Sequence, residues 1–202
     1  MTTEEFDRLV PDLQAPFKFP KWRFQSAYPK GDPKNCIVVP YIDSRMVQER
    51  LDKVVGPANW QNTIEVESGV SSLSIKIDGE WVPKSAVGTA SRIGKDGRKE
   101  DKIEKEKALD SDALKRAAVL WGIGRMLYVI GEKSLPYDAK TKHPMDVNRK
   151  YCLVTPTALT NYMNKISTSE GLLYQIYNLN PALHEDDEFM DCLKRMKEYV
   201  KL

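Results

Sequence analysis

Polar and apolar positions alternate from Lys21 to Tyr28 (KWRFQSAY), with Trp22 and Phe24 on one side and Arg23 and Gln25 on the other. That period of two predicts a half-buried strand. CIVVPYI, a few residues on, reads as a short apolar strand whose Pro40 favours an edge position. Asp43 or Ser44 then caps a helix running to about Val55, with Gly56 as its stop and Pro57 just beyond. Three strand-like runs follow: NTIEVE, SSLSIKI and EWVPKSAVGTASRI. Leu73, Ile75 and Ile77 alternate strictly in the second, and Asp78-Gly79 marks a tight hairpin after it. KDGRKEDKIEKEK, Lys95 to Lys107, opens with a glycine-containing turn, and its charge-dense remainder leads into a long helix over about 101–129.

The texture changes from Tyr151. Thr155 caps a helix that has Pro156 in its first turn, and SEGLLYQIYNL and DDEFMDCLKRMKEYVKL read as two further amphipathic helices. At the other end Pro11, Pro16 and Pro20 make residues 1–20 a partly ordered arm. The expected division is therefore an arm (1–20), a main domain (21–149) and a helical C-terminal appendage (150–202) that is dispensable to the main domain.

Within the long helix, SDALKRAAVLWGIGRMLY (Ser111 to Tyr128) places two cations side by side in an otherwise apolar run. Winding it at about 100° per residue puts Ala113, Leu114, Ala117, Leu120 and Trp121 on a core-facing arc. Lys115 falls on the polar arc, whereas Arg116 falls among Leu109, Leu120 and Ile123. Two readings are open. Lys115 is a solvated lysine and Arg116 a snorkelling arginine paired with Asp112 at i−4; or both line a groove at the edge of the packed face and hold an anion.

Composition narrows the classes. The chain has 202 residues, 41% apolar and 30% charged, enough for a core and typical of a soluble protein. The acidic start MTTEEF has no apolar stretch, which argues against a signal peptide, and no run reaches the length of a membrane span. Three separated cysteines read as reduced and cytosolic. The net charge of +2 hides a division. Residues 1–14 carry one basic and four acidic side chains, a net −3; residues 15–150 carry 25 and 18, a net +7; residues 151–202 carry five and seven, a net −2. A basic middle between acidic ends suggests a polyanion partner.

Motifs for catalysis fail on spacing. GTASRIGKD has five residues between its glycines and Asp96 where a phosphate-binding loop needs Ser or Thr. Gly122-x-Gly124-x-x-Leu127 lacks the third glycine of a dinucleotide turn and lies within a helix. With histidines only at His143 and His184 and no CxxC, neither a nucleophile triad nor a zinc site is expected. Catalytic residues, metal and cofactor are expected to be none, and a nuclease reading is disfavoured.

Three stretches resemble the Rad-fifty-two family of single-strand annealing proteins, in its shorter phage form. WRFQ resembles the family's opening strand. VVPYIDSRMVQERLDKVVGPANW resembles its strand, Tyr-Ile, helix and closing Gly-x-x-x-Trp. SDALKRAAVLWGIGRMLY resembles its long central helix, with the Leu-Lys-Arg-Ala segment the most specific piece. The likeness covers roughly 20–135, and the order of strand, helix, three strands and long helix agrees with it. It implies an α+β fold: a small antiparallel β-sheet packed on a long central helix.

The resemblance also implies a function: binding and annealing single-stranded DNA in recombination and repair, without ATP, as a homo-oligomeric ring in the cytoplasm of a bacterial or phage-infected cell. It implies that Lys115 and Arg116 hold the DNA backbone in a groove, with Arg23 and Tyr41 contributing. A further basic residue of the family, one turn after the pair, is Val119 here. A second, outer DNA site would draw on Arg92, Lys95, Arg98 and Lys99. Residues 150–202 would dock a host single-strand binding protein or pack between protomers. Two rivals remain: a passive single-strand binding protein and a protein-interaction domain.

Overall fold

The computed structural model describes residues 1–65, 67–89 and 102–166, with side chains of the helix that begins at Lys102 described from Lys107 on. The elements in chain order are α1 (Thr3–Gln14), β1 (Lys21–Tyr28), β2 (Asn35–Tyr41), α2 (Ser44–Val54), β3 (Trp60–Glu65), β4 (Val70–Ile77) and β5 (Glu80–Val87). Then come α3 (Lys102–Leu120), α4 (Met126–Ile130), β6 (Lys133–Asp138), β7 (His143–Pro144) and α5 (Pro156–Ile166). The fold is α+β with antiparallel sheets and several helices, as expected. It has two sheets, however: β1-β2-β6-β7 and β3-β4-β5.

The chain forms two compact units, each built from separate stretches. The first comprises residues 1–15 and 42–124. Its sheet is the expected meander, with Asp78 and Gly79 at φ 51° and 86° closing the β4–β5 hairpin. Leu73 and Ile75 of β4 are fully buried, as are Ala113, Ala117 and Ala118 of α3, which packs on β4 and β5. Small residues let the helix come close. A Cβ on Gly88, just after β5, would lie 2.6 Å from the Leu109 carbonyl oxygen and 2.9 Å from the Ala113 Cβ. Gly88→Val should therefore push α3 off the sheet and cost about 2 kcal/mol, in the range of core overpacking. Chemical denaturation measures this, and a parent-like midpoint would mean the helix yields freely.

The long helix is shorter than expected. It ends at Leu120, and Gly122 and Gly124 take positive φ (90° and 76°), a conformation that breaks the helical run before α4. Trp121 sits at the break. Its indole Nε1 donates to the Leu73 carbonyl at 3.0 Å, and the Phe6 ring meets it edge-on with centroids 5.6 Å apart. Lys84 Nζ lies 4.1 Å from the Trp121 ring centroid and donates to the Leu120 carbonyl at 2.9 Å. A cation at a helix C-terminus suits both the last carbonyl and the helix dipole.

The N-terminal stretch is a helix, α1, where a partly ordered arm was expected. Thr2 and Glu5 form a capping box, with Glu5 N–H donating to Thr2 Oγ1 at 3.2 Å and Thr2 N–H to Glu5 Oε2 at 2.8 Å. Pro11 lies inside the helix and removes one ladder bond. The far end is held by Arg50 of α2, whose Nη1 donates to the carbonyls of Asp12 (2.9 Å), Leu13 (3.2 Å) and Ala15 (2.6 Å). α2 itself follows the sequence reading, with Asp43 accepting from the Met46 N–H at 3.0 Å and Gly56 at φ 86° beyond its end.

The second unit comprises residues 16–41 and 125–202, described as far as Ile166. β2 lies between β1 and β6 and is not the edge strand that Pro40 suggested. The β2–β6 pairing covers only Asn35 to Val38, so Pro40 costs that ladder no hydrogen bond. Trp22, Cys36, Val38, Ile130, Leu135, Leu153, Leu159 and Met163 form the core. Burial pushes the Cys36 thiol up to about 11, well into neutral territory at physiological pH.

Helix α5 is part of this core. Thr160 Oγ1 accepts from the Trp22 N–H at 3.0 Å, and Asn164 takes the Trp22 Nε1–H at 3.3 Å while donating to the Pro20 carbonyl at 3.2 Å. The expected boundary at 149/150 thus runs through the core, because the apolar face of α5 covers β1. Thr155 caps α5 as read from the sequence, accepting from the Ala158 N–H at 3.0 Å. The two further helices expected after it lie outside the described residues.

Candidate nucleic-acid interface

Helix α3 brings Lys115 and Arg116 to the surface of the first unit on either side of Asp112. The buried arc centres on Ala113, Leu114, Ala117 and Trp121. At about 100° per residue this sets Asp112 opposite the buried arc and between the two cations, yet its carboxylate, bonded by Thr89, is less exposed than Arg116. Arg116 is 52% exposed and Lys115 30%, the reverse of the sequence expectation. The arc near Arg116 was read as apolar because of Leu120, which is itself exposed.

Asp112 ties the cations together. Its Oδ2 accepts from Arg116 Nε at 2.9 Å, and Lys115 Nζ lies 3.8 Å from Oδ1. The same Oδ2 accepts from the Thr89 N–H at 3.0 Å and the Thr89 hydroxyl at 3.1 Å, and Arg116 Nη2 reaches Thr89 Oγ1 at 3.4 Å. Burial pushes the carboxyl upward, but the Thr89 N–H, the Arg116 guanidinium and the Thr89 hydroxyl outweigh it and hold Asp112 below the usual carboxylate range. The carboxylate is thus ionised at neutral pH, and the three charges sum to one excess positive charge. The i−4 pairing read from the sequence is present, and the paired cations remain at the surface.

Arg23 and Tyr41 belong to the second unit. Lys21 pairs with Tyr41 and Arg23 with Val39 across β1 and β2, so Arg23 and Tyr41 share one face of the sheet. The opposite face carries Trp22, fully buried. Arg23 is exposed and Tyr41 half-buried. Arg92, Lys95, Arg98 and Lys99 lie outside the described residues.

Sequence reasoning missed Thr89 and Lys21. Thr89, in GTASRIGKD and two residues past β5, carries no phosphate-loop spacing, and only the fold sets it beside Asp112. Lys21 became visible only with the register that sets it beside Tyr41. Among the described residues no group of three or more His, Cys, Asp or Glu side chains is placed to hold a metal ion, and no helix is long and apolar enough to cross a membrane.

Comparison with known proteins places these residues in a wider context. A family model described as the Rad52/22 family double-strand break repair protein matches residues 7–144, most of the chain and the whole Leu-Lys-Arg-Ala segment. The chain is 31% identical over 134 residues to a single-stranded DNA-binding protein DdrA of Deinococcus radiodurans, covering 65% of this chain and 60% of that protein. It is 32% identical over 135 residues to the protein of the same name from Deinococcus deserti, covering 66% of this chain and 63% of that protein. The chain thus spans less than two thirds of the length of these relatives. No solved structure matches it.

Proposed function

We propose, because this chain belongs to the Rad52/22 family of double-strand break repair proteins, that it binds single-stranded DNA and anneals complementary strands without ATP in recombination and repair. The observation that carries this reading is the surface pair Lys115 and Arg116, set side by side on α3 within the family match. Lysine offers a mobile point charge and arginine a planar fork, and both suit phosphate oxygens. Contacts to phosphate alone bind without sequence preference, which an annealer requires. Base pairing then supplies the free energy, so no nucleotide hydrolysis and no catalytic residue is assigned.

Further parts of the reading rest on the family. Arg23 and Tyr41 are proposed as additional DNA contacts, and Arg92, Lys95, Arg98 and Lys99 as an outer site. A homo-oligomeric ring would set one protomer's cations beside the next and present bases outward. Residues 150–202 are proposed to dock a host single-strand binding protein in a bacterial or phage-infected cell, or to pack between protomers.

The test is annealing of two complementary labelled oligonucleotides by purified protein, with and without ATP. Annealing faster than the spontaneous rate and equal in both conditions is expected. A second reading, passive coating of single strands, is favoured by the names of both Deinococcus relatives, which describe single-stranded DNA binding alone. Binding of single strands with no gain in annealing rate would establish that second reading instead.

A further inference from the structure

We infer that Asp112 is a positioning residue of the DNA interface: anchored by Thr89, it holds the Arg116 guanidinium by its Nε edge in the orientation that meets a phosphate. The inference rests on the DNA-binding reading above and assigns a role to a carboxylate that a phosphate-binding surface would otherwise be expected to exclude.

An acid between two phosphate-binding cations has two possible roles, competitor or brace. A competitor for Arg116 must be mobile and as accessible as the guanidinium it blocks. Asp112 is neither. Its side chain is 28% exposed against 52% for Arg116, so the carboxylate lies deeper than the guanidinium. Its Oδ2 takes three donors, two of them from Thr89, whose backbone N–H at 3.0 Å is fixed by the chain that leaves β5. Gly88, packed against the backbone of α3, fixes that chain in turn. The guanidinium is therefore bonded at Nε to a group that is itself bonded to the scaffold. An arginine oriented beforehand loses less side-chain entropy when it forms its fork on phosphate.

Charge-conserving substitutions isolate positioning from net charge. Asp112→Glu keeps the carboxylate but displaces it by one methylene, and Thr89→Val keeps both cations and the acid but removes the hydroxyl anchor. Affinity for a fluorescent oligo-dT is expected to fall about five-fold for Asp112→Glu and about two-fold for Thr89→Val, the scale of a partly exposed ion pair. In an Arg116→Lys background, which lacks the Nε–H, both substitutions should lose their effect, since the residues act as one unit. The Arg116 Nε–H resonance, identified by its absence in Arg116→Lys, should be distinct in the parent and merge with those of solvated arginines in Asp112→Glu.

Parent-like binding by Asp112→Glu overturns the inference, as does tighter binding, which would make the acid a competitor. An equal loss in the Arg116→Lys background also overturns it, because the carboxylate would then act through the fold. Should a variant fail to fold, the parent's Nε–H resonance still decides: a signal averaged with the solvated arginines means that Asp112 does not hold the guanidinium. A parent protein that binds no single strand overturns the functional reading and this inference together; a binding parent with an indifferent Asp112→Glu overturns this inference alone.

Discussion

A chain that stops at Arg149 is expected to lose the fold of its second unit. The sequence set a boundary there because composition and charge change near Tyr151. The packing crosses it. Leu153, Leu159 and Met163 are 8%, 3% and 1% exposed, and they share a core with Trp22 of β1 and with Cys36 and Val38 of β2. Each such side chain contributes about 1.5–3 kcal/mol by leaving water. Their joint loss, roughly 6 kcal/mol, is comparable with the entire stability of many domains. Truncation would also leave the Trp22 N–H and Nε1–H without Thr160 and Asn164. Hydrogen exchange of the β1 and β2 amides measures this directly. Fast exchange throughout both strands is expected in the truncated chain, while the β4–β5 hairpin of the first unit keeps its protection. Slow exchange in β1 would show that α5 merely rests on a sheet stable without it.

The double variant Lys115→Ala/Arg116→Ala is expected to fold and to lose most of its affinity for single-stranded DNA. Both side chains stand outside the buried arc of α3, and alanine suits a helix. The stability cost is set by the exposed pairing with Asp112, about 1 kcal/mol or less. Binding stands to lose far more. A charge-assisted hydrogen bond to phosphate is worth roughly 1.5–3 kcal/mol, so two such contacts amount to about 100-fold in affinity or more. Lys115→Ala alone should leave the denaturation midpoint within about 0.5 kcal/mol of the parent. Arg116→Lys should recover binding only in part, because it restores the charge and not the fork. Fluorescence anisotropy with a labelled oligonucleotide measures each variant. A folded double variant that binds like the parent would return both cations to the role of solvated surface charge.

Local chemistry was the legible part of this fold. The caps at Asp43 and Thr155, the stop at Gly56 and the hairpin at Asp78-Gly79 each depend on one or two side chains whose conformational preference survives in any context. Alternation placed β1 and β4 for the same reason. What escaped the sequence depended on distant partners. α1 tolerates Pro11 while its terminal carbonyls are taken by Arg50, which lies 35 to 38 positions further along the chain. β6, KSLPYD, carries a proline and little alternation, and it is a strand because β2 offers it an edge. The end of α3 was missed because a helical winding accommodates Gly122 on the polar arc and Gly124 on the core-facing one; only their positive φ breaks it. Of the candidate interface, the cation pair and its i−4 acid were readable from spacing. Thr89 was not, because nothing in a sequence brings residue 89 beside residue 112.

The most direct test of backbone binding is the affinity of the full chain for an oligo-dT as a function of salt. Each phosphate neutralised on a single strand contributes a slope of about −0.7 in log K against log salt. The cation pair alone therefore predicts a slope steeper than about −1 for the parent, reduced by about 0.7 in Lys115→Ala. A parent slope near zero, or a slope unchanged by Lys115→Ala, would contradict the assignment of this surface to the DNA backbone.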